Sequence, residues 1–252
     1  MAQHPWLDPS PFFLPGGSIS CLLVHGFTGS PPELRPMGDY LAQRGLTVSA
    51  PVLAGHGTRP EDLEGIRWRD WFASVSDAYR ELRGHSDKVY VAGYSLGSLL
   101  VTHLARYVDL AGLILIAPAF WQGRPQRPVS TVWRHSVQYV IKPDTTPWNT
   151  DPEASKRFWS YEEYPLTALH ELRLLQVRAR RDLGHVLRPS LVICGGKDIV
   201  VAARAGPSTY ARLASPDKEL VCLENSGHGL VVDVEHSTVF DKMYGWIASR
   251  AR

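Results

Sequence analysis

Six runs of apolar and β-branched residues recur along the chain, separated by more polar segments. They occupy residues 19–27, 46–53, 88–95, 111–120, 190–196 and 219–225. Their near-continuous hydrophobicity is typical of strands buried on both faces, as in a parallel sheet. We therefore expect these runs to form the strands of the central sheet.

Apolar side chains return at helical intervals between these runs. The clearest stripes are Leu34, Met37 and Leu41; Trp68, Trp71, Val75, Tyr79 and Leu82; Leu99, Leu100, Leu104 and Tyr107; and Phe240, Tyr244 and Ile247. Strands that alternate with helices predict the α/β class, with a mostly parallel central sheet flanked by helices on both faces. At this length we expect one domain, residues 1–252.

The alternation stops between residues 122 and 184, where we find no strand-like run. Asp151 followed by Pro152 is a typical helix start. A second helix is predicted by an apolar stripe of Leu166, Leu169, Leu172 and Leu175. We expect residues 122–184 to form a small helical cap, inserted in the domain over the carboxyl ends of the strands, where ligands bind in open α/β sheets.

Charge and hydropathy exclude several function classes. The formal net charge is +2, and the 27 Lys and Arg residues are spread along the chain. We therefore expect no nucleic-acid partner and no stable membrane anchoring. No apolar segment is long enough to span a bilayer, and the first residues lack a basic start and a long apolar run, so we expect a cytoplasmic protein. Composition leaves the oligomeric state open.

The three cysteines, Cys21, Cys194 and Cys222, each lie within an apolar run. We interpret them as small buried residues in a reducing compartment. Their spacing does not suggest a metal site, and we expect none.

Residues 93–97, GYSLG, match the G-x-S-x-G pattern between a predicted strand and a predicted helix. A nucleophilic serine must project from a tight strand-to-helix turn, and flanking glycines relieve the crowding there. The predicted strand before the motif and the predicted helix after it make the match specific. The motif therefore predicts Ser95 as a nucleophile.

A serine needs a base within hydrogen-bonding reach, and the base needs an orienting carboxylate. In this kind of fold the chain order is Ser, acid, His. Asp198 follows the strand-like run at 190–196, and His228 follows the run at 219–225, so both open on the same sheet edge as Ser95. The other histidines precede or accompany the serine turn, precede the acid strand or begin the last helix, and the other carboxylates that we considered as the acid precede a strand or lie within one. Asp233 we interpret as a helix-cap or surface carboxylate.

The tetrahedral intermediate of acyl transfer needs two N–H donors for its oxyanion. We assign one to Leu96, directly after the serine, and the other to Phe27 in the loop HGFTG that follows the first long strand. His25 is expected to brace that loop rather than titrate. The GHG at residues 55–57 is expected to be a structural turn, with a pocket-lining role as the alternative.

The predicted cap is rich in aromatic residues, among them Trp121, Trp133, Trp148, Phe158 and Trp159. Such a surface would suit an acyl chain. The alternative is that these residues form the cap's own small core, and the sequence does not decide between the two.

Taken in order, these motifs resemble bacterial carboxylesterases of the Est30-like group and their relatives, the bacterial monoacylglycerol lipases. The shared pattern is HGFTGSP, GHG, GYSLG, a short cap ending in a helix, GGKD and SGH, spanning about residues 19–247. The resemblance implies an α/β-hydrolase fold with a small cap, no cofactor, and the triad and oxyanion roles for Ser95, Asp198, His228, Phe27 and Leu96. Such enzymes often have GYSMGG where this chain has GYSLGS. Leu96 and Ser98 therefore differ from the family pattern, and this difference affects the shape of the pocket rather than the catalytic roles.

The resulting hypothesis is a serine carboxylesterase that hydrolyses short- to medium-chain esters through an acyl-enzyme on Ser95. The expected partner is a small-molecule ester. A monoacylglycerol lipase, a thioesterase or another acyl hydrolase would use the same triad. A protein that binds a ligand without turnover is the alternative from another class.

Overall fold

The computed structural model describes residues 6–122, 139–141 and 148–251. The strands in this part of the chain are β1 (Phe12–Leu14), β2 (Ile19–Val24), β3 (Thr47–Ala50), β4 (Lys88–Tyr94), β5 (Gly112–Ile116), β6 (Tyr139–Ile141), β7 (Glu163–Pro165), β8 (Ser190–Gly195) and β9 (Lys218–Leu223). The α-helices are α1 (Arg35–Ala42), α2 (Trp68–Arg83), α3 (Leu96–Leu104), α4 (Leu166–Asp182), α5 (Ala205–Arg212) and α6 (His236–Ala251).

The main sheet of the described residues has the order β1-β3-β2-β4-β5-β8-β9. All neighbouring strands are parallel except β1, which pairs antiparallel with β3. The predicted α/β class with a mostly parallel sheet is confirmed. Because β2, β4, β5 and β8 are neighbours, the loops at their carboxyl ends meet at one edge.

Two apolar layers cover the sheet. One contains buried residues of α2, α3 and α4, and the other contains buried residues of α1 and α6. Helix α3 is buried along its whole length, because it lies between the sheet and the helices α2 and α4. Because α3 is packed on all sides, it fixes the position of Ser95 at its amino end.

Strand β9 departs from the prediction of strands buried on both faces. It is the last strand of the described sheet, and only Leu223 in it is fully buried. The interpretation of Cys222 as a buried residue is therefore wrong, because its side chain is exposed on this edge strand. Cys21 and Cys194 are buried as expected.

The insertion at residues 122–184 contains two strands as well as helices. Helix α4 confirms the helix predicted from the apolar stripe. Asp151 caps the short 3₁₀ helix Pro152–Arg157 by accepting a hydrogen bond from the N–H of Glu153. However, β6 and β7 pair as an antiparallel ribbon, so the expectation of no strand between residues 122 and 184 is wrong. Residues 123–138 and 142–147 of the predicted cap lie outside the described residues, and the division into one domain with a cap stays a prediction.

Candidate active site

Ser95 lies in the sharp turn between β4 and α3, with backbone angles φ 52° and ψ −111°. A residue other than glycine seldom adopts a positive φ, so the turn is strained in the manner of a nucleophile elbow. A Cβ atom on Gly93 would lie 2.3 Å from the carbonyl carbon of Gly97, and one on Gly97 would lie 2.2 Å from the carbonyl oxygen of Val24. The two glycines thus allow the close backbone approach that projects Ser95 from the sheet edge.

The three predicted triad side chains come from three loops and meet in one hydrogen-bonded row. His228 Nε2 is 3.0 Å from Ser95 Oγ, and His228 Nδ1 is 2.7 Å from Asp198 Oδ2. With an ionised Asp198 as acceptor, Nδ1 carries the proton, which leaves the Nε2 lone pair facing the serine hydroxyl. The side chains of His228 and Asp198 are only 3% and 5% exposed, so water competes little for these bonds.

Asp198 is held as an ion by its own loop. The N–H groups of Val200 and Val201 donate to its Oδ1 at 2.8 and 3.0 Å. Burial raises the pKa of Asp198, but His228 and these two N–H donors outweigh it, so the pKa lies below its ordinary value. The carboxylate is therefore charged at neutral pH and available to orient the imidazole.

The two predicted oxyanion donors belong to the loop after β2 and to the amino end of α3. In the loop after β2, the N–H of Gly29 donates to the carbonyl oxygen of Gly26 at 3.2 Å, closing a turn in which Thr28 has φ 59°. Phe27, within that turn, lines the same pocket as Ser95. Leu96 opens α3 with its N–H at the helix amino end. Among the described residues, neither N–H has a protein acceptor.

His25 braces this loop, as expected from the sequence. Its Nε2 accepts a hydrogen bond from the N–H of Leu53 at 3.1 Å, so its Nδ1 carries the proton and donates to the carbonyl oxygen of Gly26 at 2.9 Å. Burial lowers the pKa of His25 to about 4, so the ring stays neutral at physiological pH. It therefore acts through hydrogen bonds rather than through charge.

The GHG turn is structural. Gly55 and Gly57 have φ values of 73° and 77°, a region that favours glycine. His56 is buried against Trp71 and Tyr161 and does not line the pocket formed by the described residues around Ser95. The pocket-lining alternative is therefore not supported for His56.

Some aromatic residues of the insertion line the active-site pocket, and Trp159 packs into the main core rather than into a core of the cap's own. Trp148 and Phe158 line the pocket that contains Ser95. Trp159 is 3% exposed and belongs to the main apolar layer. Trp133 lies outside the described residues. The insertion therefore supplies both a pocket wall and core packing.

Comparison with known proteins supports the interpretation of this geometry. The family model described as Hydrolase_4, Serine aminopeptidase, S33, matches residues 18–235. The chain belongs to this family. It is 30% identical over 256 residues to a thermostable monoacylglycerol lipase of Bacillus sp. (strain H-257), covering 99% of this chain and 98% of the relative.

A carboxylesterase of Bacillus subtilis (strain 168) is 27% identical over 242 residues, covering 96% of this chain and 97% of the relative. A solved structure from work on LipS and LipT, two metagenome-derived lipolytic enzymes, superposes with a TM-score of 0.90 at 27% identity, covering 96% of this chain and 98% of that chain. The family resemblance and the α/β-hydrolase fold predicted from the motifs are confirmed.

This α/β hydrolase has a further carboxylate beside His228 that the sequence did not assign. Asp233 is fully buried, and its side chain accepts no N–H from the first turn of α6, so the interpretation as a helix-cap or surface carboxylate is wrong. It accepts hydrogen bonds from the N–H groups of Gly227 at 2.7 Å and of Thr150 and Asp151 at 2.9 Å. Asp233 thus ties the loop of His228 to the insertion.

Glu33 is a second carboxylate that the sequence did not assign. It is 3% exposed, lines the pocket with Ser95, and accepts a hydrogen bond from the N–H of Gly26 at 2.7 Å. The sequence signal was weak, since an acidic residue early in a helix is ordinarily a solvated one.

Within the described part of this hydrolase, no helix is long and apolar enough to cross a membrane. The same residues contain no group of three or more His, Cys, Asp or Glu side chains arranged to hold a metal ion.

Proposed function

We propose that this chain hydrolyses carboxylic esters through an acyl-enzyme on Ser95, with His228 as base, Asp198 as acid, and the N–H groups of Phe27 and Leu96 as oxyanion donors. The observation that carries the proposal is the continuous hydrogen-bonded row from Ser95 Oγ through His228 to Asp198. The carboxylesterase and lipase relatives support an ester as the acyl donor.

In the acylation step, His228 Nε2 removes the Ser95 proton as Oγ attacks the ester carbonyl carbon. The carbonyl π electrons move to oxygen, and the N–H groups of Phe27 and Leu96 bind the resulting oxyanion. When the intermediate collapses, the ester C–O bond breaks and His228 gives its proton to the departing alkoxide. Asp198 stabilises the imidazolium throughout.

Deacylation repeats this sequence with water as the nucleophile. His228 takes a proton from water, the hydroxide attacks the acyl carbon, and the oxyanion forms in the same place. Collapse breaks the bond to Oγ and returns the proton to Ser95. The products are a carboxylic acid and an alcohol, and the enzyme is unchanged.

The acyl group is proposed to be short to medium in length, on the resemblance to the Est30-like carboxylesterases and the small size of the predicted cap. Trp148 and Phe158 supply apolar surface next to Ser95. A monoacylglycerol is the second candidate substrate, favoured by the relative that is 30% identical along nearly the whole chain. A cytoplasmic location and the lack of a nucleic-acid partner stay predictions from composition.

The test is a series of p-nitrophenyl esters from acetate to palmitate, measured beside a monoacylglycerol. We expect hydrolysis that is highest at short or medium chains, and a loss of about 10⁴-fold or more in kcat for Ser95→Ala. Ser237→Ala, which changes an exposed serine on α6, is the matched control. Full ester hydrolysis by Ser95→Ala would overturn the proposal, and preference for the glyceride would move it to the second candidate.

A further inference from the structure

The side chain of Glu33 is buried in the active-site pocket, yet the proposed acyl transfer gives it no chemical step. Glu33 belongs to the one-turn helix Pro31–Leu34, directly before α1. Burial raises the pKa of Tyr94 well above its ordinary value, and the carboxylates of Glu33, Asp198 and Asp233 add to this effect. Glu33 thus faces the same interior as the two carboxylates around His228.

The loop of Phe27 wraps around this carboxylate. Oε1 of Glu33 accepts the N–H of Gly26 at 2.7 Å. A Cβ atom on Gly29 would lie 2.8 and 2.9 Å from the two carboxylate oxygens, so a larger residue there would displace the Glu33 carboxylate from the turn. The carboxylate therefore fills the inside of the turn formed by residues 26–29.

The bonds at Gly26 determine where the next N–H points. The carbonyl oxygen of Gly26 accepts from His25 Nδ1 at 2.9 Å and from the N–H of Gly29 at 3.2 Å. That carbonyl shares a planar trans peptide with the N–H of Phe27, so the two point in opposite directions. With the carbonyl held inside the loop, the Phe27 N–H is directed away from it.

Glycine has the widest range of backbone angles, so Gly26 alone would not hold this peptide plane. His25 and Gly29 hold the Gly26–Phe27 peptide through its carbonyl oxygen, and Glu33 holds the preceding peptide through the Gly26 N–H, so both peptides that flank the Gly26 Cα are fixed. Without the bond to Glu33, rotation about the Gly26 backbone would swing the Phe27 N–H out of line. Loss of a single oxyanion donor commonly costs about 10²- to 10³-fold in kcat.

We propose that Glu33 is a positioning residue for the oxyanion site: by accepting the Gly26 N–H, it orients the N–H of Phe27 toward the oxyanion. This inference rests on the proposed acyl transfer at Ser95. Glu33 acts through the length of its side chain, which lets it reach the Gly26 N–H. A negative charge near the site would repel an oxyanion rather than stabilise it.

Two substitutions separate reach from charge. Glu33→Gln keeps the length and one oxygen acceptor but removes the charge, and its kcat is expected to stay within about 3-fold of the parent. Glu33→Asp keeps the charge but shortens the side chain by one methylene, and its kcat is expected to fall about 10- to 100-fold with KM nearly unchanged. Glu81→Gln, on the exposed side of α2, is the control.

The measurements are kcat and KM with p-nitrophenyl butyrate, the affinity for butylboronic acid, and thermal unfolding. A boronic acid forms a tetrahedral adduct with the serine, so its affinity should fall in parallel with kcat for Glu33→Asp, whereas a purely structural defect would lower the melting temperature instead. A parent-like kcat for Glu33→Asp, or equal losses in both variants, would overturn the inference.

The labelling rate of Ser95 by a fluorophosphonate is a readout that does not require an ester substrate. Ser95 Oγ displaces fluoride from phosphorus, and the phosphoryl oxygen gains negative charge in the same site during this step. If the parent is labelled but does not hydrolyse esters, the proposed function fails. The positioning role is still tested, because it predicts a higher labelling rate for Glu33→Gln than for Glu33→Asp. Equal labelling rates in the two variants would overturn it.

Discussion

Asp198 and Asp233 flank His228 and are the same chemical group, but their hydrogen bonds differ in kind. Asp198 gives one oxygen to the His228 ring and the other to backbone N–H groups. Asp233 accepts from the backbone N–H groups of two segments and from the Thr150 hydroxyl. One carboxylate is thus coupled to the imidazole that we propose as the base, and the other to backbone N–H groups and a hydroxyl. The difference predicts a kinetic role for Asp198 and a stabilising role for Asp233.

The largest expected effect comes from Asp198→Asn. The amide keeps the size of the side chain but removes the charge that stabilises the His228 imidazolium and selects its tautomer, so kcat for ester hydrolysis should fall by about 10³- to 10⁴-fold. Thermal unfolding should shift by only a few degrees, and circular dichroism on heating would check this. A strongly destabilised protein with near-normal kcat per folded molecule would contradict the assignment.

Asp233→Asn should show the reverse pattern. One oxygen acceptor becomes an NH2 group that faces backbone donors, so the free energy of unfolding should fall by about 2 to 4 kcal/mol. For the folded fraction, kcat should fall by about 10-fold or less, because the His228 loop loses one of its anchors. Urea unfolding and active-site titration give the two quantities, and a kcat loss as large as that of Asp198→Asn would remove the contrast.

The smallest effect is the pH dependence of that stability difference. Burial raises the pKa of Asp233, but the N–H donors of Gly227, Asp151 and Thr150 outweigh it, so the pKa in the folded protein is below its ordinary value. The lowered pKa stabilises the folded protein at every pH above the ordinary pKa of an aspartate. This stabilisation is lost as the pH falls through the pKa that Asp233 has in the folded protein. The gap in unfolding free energy between the parent and Asp233→Asn should be constant near neutral pH and narrow in acid. A gap that widens in acid would refute this sign.

The sequence indicated Ser95, Asp198 and His228 because each follows a strand directly, and parallel strands bring their carboxyl ends to one edge. Asp233 and Glu33 gave no such signal. A carboxylate is buried where N–H donors surround it, and the Asp233 donors on Thr150 and Asp151 lie more than 80 residues away in the chain. Local pattern cannot reveal such an environment.

The sequence predicted the long strands of the sheet but missed the short strands and the position of the edge. Long apolar runs identified the central strands, whereas β1, β6 and β7 have only three residues each, too few for a hydrophobic pattern. The exposure of Cys222 was missed because Cys222 lies within four consecutive apolar residues, 220–223, which resemble part of a buried strand. Whether a strand lies at an edge depends on the order of strands in the sheet, which hydrophobicity does not encode.

The contact between Gly97 and the carbonyl oxygen of Val24 has a consequence for how this protein can evolve. A side chain at 97 would displace β2 from α3, whatever its chemistry, so selection at this position acts on volume and serves folding. A descendant that lost Ser95 and took up another task would still need the glycine. In such a lineage, position 97 would record ancestry of the fold, and position 95 would record whether the chemistry had been kept.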